Sequence, residues 1–331
     1  MLRRLEGEEL PAVAPVGLAE APERAEGILV TSYLDHSLQY RRLLMRLGSG
    51  SEAYRDRLLD AMASLLVDLH RGGVYWGDCS LANTLFRRDG DKIQAFLVDA
   101  ETSEIHPSLS AGQRAYDLEV LVENVAFGLA DLAAYQGRDD EMESSIAAAE
   151  SVRTRYRGLW DELHAEVQLG ADDRFAIGAR VRRLNDLGFS VDEIELEPGD
   201  RAGRLRLRVA VTTRRFHIRE LERQTGIVAL EGQARILMND LREYRAWLEW
   251  YEKRTIDRAA GAERWLEDVY EPTIARLAAA IDGDRDLVQA YCDVLEHKWL
   301  LSEKAGRDVG LAKAVASYLA LGAPAPEAEP A

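Results

Sequence analysis

The segment Trp76-Gly77-Asp78-Cys79-Ser80-Leu81-Ala82-Asn83 sets the tightest limit on what this chain can fold into. A helix must precede it: from Glu52 to Arg71, Leu58, Leu59, Met62, Leu65, Leu66 and Leu69 recur at helical spacing, and Gly72-Gly73 ends the run. Two short strands must follow it, Thr84–Arg87 and Ile93–Val98. Between them Arg88-Asp89-Gly90-Asp91 carries Asp-Gly, a strong short-range hairpin signal. Asp99 then stands directly after the second strand. Any one of these polar residues is explained by turn capping. The order of helix, Gly-Asp loop, hairpin and aspartate is not.

That order suits one chemistry. Phosphoryl transfer asks a protein for metal ions that neutralise phosphates and for a carboxylate that orients the attacking hydroxyl. A D-x-x-x-x-N loop offers an aspartate and an asparagine from one short turn, so Asp78 and Asn83 can face one pocket. A second aspartate reached through a hairpin, Asp99, can grip a metal from the other side.

These residues resemble the catalytic core of kinase-like phosphotransferases, especially bacterial lipopolysaccharide kinases and small-molecule kinases with a His-Gly-Asp loop. The resemblance covers roughly Leu2 to His164. It implies ATP and magnesium as cofactors, Asp78 as the base or orienting carboxylate, and Asn83 and Asp99 as magnesium ligands. It implies that Asp117, in Arg114-Ala115-Tyr116-Asp117-Leu118-Glu119, braces the catalytic loop from a helix. It makes Ile28–Leu34 the hinge strand, with Ser32, Tyr33 and Leu34 at the adenine. Two positions depart from the pattern: Trp76 replaces the loop histidine, and Ala100-Glu101 follows Asp99 in place of Phe-Gly. Backbone support for the loop must therefore come from elsewhere.

The small lobe reads as incomplete. No lysine precedes Lys92, and no glycine-rich loop precedes the hinge. Gly48-Ser49-Gly50 follows the hinge and reads as a helix stop. Met1–Leu5 reads as the last turn of a helix, so the expectation is a chain that begins partway through the lobe, either because its start is assigned too far downstream, the preferred reading, or because the protein is a natural truncation that binds nucleotide poorly. The strands around Val13–Leu18 and Ile28–Leu34, the latter read as buried, would then leave an open sheet edge.

The expected fold class is α+β: a protein-kinase-like fold lacking part of its small lobe, over residues 1–168, followed by a mostly helical α+β accessory domain, 169–321, and a disordered tail, 322–331. The accessory domain begins with a basic helix, Phe175–Leu187, and a hairpin of Val191–Leu196 and Leu205–Val211. Helices follow at Gln233–Trp250, Ala260–Ala280 and Leu287–Glu303. Its segments Arg215–Glu222 and Gly232–Asp240 resemble an uncharacterised domain that follows a kinase-like region in a family of high-GC bacterial proteins. Arg201, Arg204, Arg206, Arg208, Arg214, Arg215, Arg219 and Arg223 offer an anion or nucleic-acid site, or a solvated face partnered by carboxylates; the second reading is preferred. Trp247, Trp250, Trp265 and Trp299 read as core, and His70 and His217 lack the partner spacing of a zinc site.

Composition narrows the function classes. A net charge of −16 argues against nucleic acid as a general partner. Two distant cysteines fit a reducing cytoplasm, and neither a membrane-spanning run nor a signal peptide is read. The expected partners are a nucleotide and an acceptor that the sequence does not name. The competing readings are a pseudokinase that senses nucleotide as a scaffold, and an anion-binding second domain.

Overall fold

The computed structural model describes residues 1–21, 26–46, 52–138, 142–170, 174–198, 204–281, 283 and 285–324. They divide into two compact units, one of Met1–Arg87 with Ile93–Ala165, the other of Arg88–Lys92 with the residues from Glu166 on.

The first unit opens with helix α1 (Leu2–Gly7) and the antiparallel strands β1 (Pro15–Ala21) and β2 (Glu26–Thr31), which form a sheet of two. Strand β3 (Ser37–Leu38) and helix α2 (Tyr40–Arg46) lead to α3 (Glu52–Arg71). The apolar stripe read in the sequence is the core face of α3: Leu58, Leu59, Met62, Leu66 and Leu69 have no exposure at all. Strand β4 (Val74–Tyr75) follows, then β5 (Thr84–Asp89) and β6 (Lys92–Leu97), with β7 (Glu104–Ile105) pairing back onto β4. The sheet order is β3-β5-β6. Helix α4 (Ala111–Tyr135) starts at a reciprocal capping box between Ser110 and Gln113, and α5 (Met142–His164) packs on both α3 and α4.

One expectation fails here. The β-branched run of β2 is not buried: Ile28 is 64% and Leu29 56% exposed. Among the described residues β2 pairs only with β1.

The second unit contains strands β8 (Val167–Gly170), β9 (Phe189–Pro198) and β10 (Arg204–Arg214) in the order β8-β10-β9, with helix α6 (Arg174–Asp186) before β9. The register sets Arg206 opposite Glu197 and Arg208 opposite Glu195. Arg201 lies outside the described residues.

Helices α7 (Phe216–Thr225), α8 (Glu231–Glu252), α9 (Arg258–Trp265), α10 (Glu271–Ala278), α11 (Leu287–Ala305) and α12 (Leu311–Ala320) complete the unit. The long helix expected at Ala260–Ala280 is interrupted by a wider turn at Leu266–Tyr270. The core is built on Trp265 and Tyr291, whose indole N–H (2.8 Å) and hydroxyl (2.7 Å) both donate to Asp240. Of the four tryptophans read as core, only Trp265 is. Trp247, Trp250 and Trp299 are 50%, 67% and 62% exposed. Helical spacing places them on a stripe; it does not place anything over the stripe.

Residues 88–92, the hairpin turn, pack as part of this unit. Arg88 donates to both oxygens of Asp293 (2.9 and 2.7 Å), and Asp89 accepts from the Gly232 and Gln233 amides (2.9 and 2.8 Å) that open α8. Burial pushes the Asp89 carboxyl up to about 6, against the pull of those two amides. The tail expected to be disordered is ordered at its start: Ala323 is buried, and Pro324 accepts from the Tyr318 hydroxyl. Residues 325–331 lie outside the described residues.

Candidate active site

The loop between β4 and β5 is held by its surroundings rather than by its own turns. Gly77 sits at a φ of +84°, and a side chain there would meet the Thr102 carbonyl at 3.0 Å. The Trp76 carbonyl accepts from the hydroxyls of Thr102 (3.0 Å) and Ser103 (3.3 Å). Asn124 of α4 donates to the Cys79 carbonyl (2.8 Å), and Thr84 donates to the Ser80 carbonyl (2.8 Å).

The strongest hold comes from Asp117 of α4, which has no exposure. Its carboxylate accepts from the amides of Trp76 (2.7 Å) and Gly77 (2.9 Å), the two residues that lead into Asp78. A buried carboxylate is tolerated when donors surround it. His70 of α3 supplies a further contact, Nε2 to Asp117 Oδ2 at 3.1 Å, and Tyr156 of α5 lies 2.7 Å from the other ring nitrogen. Neither His70 nor Tyr156 was singled out from the sequence for this place. Burial lowers the His70 pKa and raises that of Tyr156.

Asp78 and Asn83 meet at the mouth of this loop. The Asn83 amide donates to Asp78 Oδ2 (2.9 Å) and to the Asp78 carbonyl (3.3 Å). The Val98 amide donates to the Asn83 carbonyl (3.0 Å), so Asp99, the next residue, leaves β6 beside the asparagine. Asp78 and Asp99 are exposed. Asp99 Oδ1 accepts from the Glu101 amide (3.1 Å). Among the described residues, Asp78 Oδ1, Asn83 Oδ1 and Asp99 Oδ2 carry no hydrogen bond from the protein. These are hard oxygen donors of the kind magnesium takes, and magnesium is commonly held by one or two carboxylates plus phosphate oxygens. Among the described residues no three His, Cys, Asp or Glu side chains gather as a metal-holding group. A site that uses an asparagine and leaves coordination to a nucleotide does not need one.

Beside Asp99 opens a cavity of about 580 Å³, lined by Leu2, Leu18, Leu29 and Val98 and by the charged Arg3, Asp99 and Glu101. Ser32, Tyr33 and Leu34 do not line it. β2 ends at Thr31, so these three continue past the sheet, where Ser32 and Tyr33 are exposed. The cavity wall on this strand is Leu29.

Comparison with known proteins gives two family matches. Residues 1–136 match the Lipopolysaccharide kinase (Kdo/WaaP) family, and residues 158–321 match a Domain of unknown function (DUF4032). The fold is α+β, a kinase-like part followed by a helix-rich part. Matching solved structures include "WaaP in complex with acyl carrier protein", 19% identical, covering 48% of this chain and 73% of that one, with a TM-score of 0.31. No curated protein matches the chain. Among the described residues no helix is long and apolar enough to cross a membrane.

Proposed function

Taking the chain as a lipopolysaccharide kinase-like part joined to a domain of unknown function, we propose that it transfers a phosphoryl group from ATP, with magnesium, to a hydroxyl acceptor. The kinase-like part is assigned to residues 1–168 and the accessory domain to 169–321. The observation that carries the reading is the junction of Asp78 and Asn83 with Val98-Asp99, which leaves three carboxylate or amide oxygens open on the β4–β5 loop and at the end of β6. Asn83 and Asp99 hold the metal. Bound magnesium supplies positive charge that neutralises the phosphates. Asp78 accepts from the acceptor hydroxyl and aims it. Leu18 and Leu29 offer apolar walls to the adenine, and Arg3 adds positive charge for the phosphates. The acidic chain and the glutamates opposite Arg206 and Arg208 give the nucleic-acid reading no support.

A thermal-shift titration tests this. Mg-ATP at a hundredfold excess over its dissociation constant stabilises the wild-type fold by roughly 2.7 kcal/mol. Asp99→Ala removes most of that shift, because Asp99 grips the metal; Asp78→Ala keeps it, because Asp78 addresses the acceptor. No shift in the wild type, or equal loss in both variants, contradicts the assignment of roles.

A further inference from the structure

The catalytic loop carries a tryptophan where a histidine would support it, yet a histidine is present. It arrives from α3. We propose that His70 and Tyr156 are positioning residues: a directed chain of hydrogen bonds, Tyr156 O–H to His70 Nδ1 and His70 Nε2–H to Asp117, fixes the carboxylate that holds the Trp76 and Gly77 amides and so aims Asp78. This rests on the reading of Asp78 as the residue that addresses the acceptor.

The direction of the chain follows from its acceptor end. Both Asp117 oxygens already accept from backbone amides, at 2.7 and 2.9 Å. A carboxylate in that role can only accept again, so Nε2 of His70 carries the proton at 3.1 Å. A neutral ring then has a lone pair on Nδ1, and the Tyr156 hydroxyl at 2.7 Å must be its donor. His70, Tyr156 and Asp117 are 2%, 4% and 0% exposed, so water does not compete for any of these bonds. Burial favours the neutral ring and the protonated phenol, the two states the chain requires. The groups that face His70 are Asp117 and Arg114 of α4, which oppose each other in their effect on its proton, and Tyr156 of α5. Tyr156 is itself fixed by stacking on Trp160 at 5.9 Å, which stacks in turn on His164 at 4.1 Å. Three helices thus meet at a single tautomer.

A merely structural histidine would affect folding alone; a positioning histidine affects the loop while the fold persists. Tyr156→Phe keeps the ring and removes one donor. It is expected to lower kcat by roughly 10–100-fold, the scale for partners that orient another group, with KM for ATP unchanged. It also frees Nδ1 to take a proton, so the acid limb of the kcat profile moves to higher pH. His70→Gln retains one donor and one acceptor and is expected to recover activity that His70→Ala loses.

Two readouts need no turnover and so separate this inference from the kinase reading. Nitrogen-15 NMR of the full chain at pH 7 is expected to show His70 as the Nε2–H tautomer. Hydrogen exchange at the Trp76 and Gly77 amides is expected to quicken in His70→Ala and to return towards wild type in His70→Gln. An Nδ1–H tautomer, an imidazolium at pH 7, or unchanged exchange in His70→Ala overturns the proposal. If wild type shows these signatures without any ATP turnover, the kinase reading fails and the loop-bracing chain stands. If turnover is present and Tyr156→Phe leaves kcat and its pH profile at wild-type values, the positioning role is overturned.

Discussion

Asp78→Ala is expected to slow ATP turnover by about 10²–10⁴-fold, the range for loss of a positioned acid–base group. The side chain stands at the open end of a loop pinned from several sides, with Oδ1 unpaired and Oδ2 on the Asn83 amide. On the proposed reading, losing it removes the acceptor for the hydroxyl proton while Asn83 and Asp99 remain to hold the metal. KM for Mg-ATP should therefore change far less than kcat. Asp78→Asn keeps the shape and the contact site for Asn83 without the proton acceptor, so it should be nearly as slow. Steady-state turnover of the three proteins checks this. A variant whose kcat is normal and whose KM alone rises would move Asp78 from catalysis to nucleotide binding.

Asp117→Ala is expected to destabilise the first unit by about 3–5 kcal/mol, the cost of removing one side of a fully buried polar arrangement. Three N–H donors, from Trp76, Gly77 and His70, would lose their acceptor, those of Trp76 and His70 on buried residues. Each such orphaned group costs about 1–3 kcal/mol. Denaturant unfolding at pH 7 measures the loss. A change below about 1 kcal/mol would mean that the loop holds itself, contrary to the bonding described. Acid should act in the same direction. The His70 pKa is lowered in the folded state by burial. Below the ordinary histidine value of about 6.5 the unfolded chain therefore binds more protons, and His70 contributes a loss of stability as pH falls through that region.

The helix, loop and hairpin around Asp78 were legible because their signals are local. The stripe on α3, the Asp-Gly turn and the spacing from Asp78 to Asn83 lie within one stretch of chain, and each has a direct structural cause. What supports that segment was not legible in the same way. His70 and Asp117 are 47 residues apart, and His70 and Tyr156 are 86 apart, so no local pattern links them. The replacement of the loop histidine by Trp76 was the one available signal, since it required support from elsewhere.

Exposure was the second blind spot. A β-branched run such as Ile28-Leu29-Val30 encodes a strand, but burial depends on what packs above the sheet, and here the faces of β2 stay open. Trp247, Trp250 and Trp299 repeat the lesson on helices. Short elements also escaped: β8 is only four residues long, and its strand character comes from pairing with β10. Nor could the sequence tell where β2 ends. Ser32–Leu34, the residues expected at the adenine, continue past the strand's end at Thr31, and it is Leu29 that lines the cavity.

The most direct measurement of the central claim is a crystal structure of the full chain with manganese and a non-hydrolysable ATP analogue. Anomalous scattering locates the metal independently of the nucleotide density. A manganese peak coordinated by Asn83 Oδ1 and Asp99 Oδ2 is expected, with phosphate oxygens completing the shell and the adenine against Leu18 and Leu29. A nucleotide bound away from this loop, or a metal that leaves Asn83 and Asp99 without contact, would contradict it.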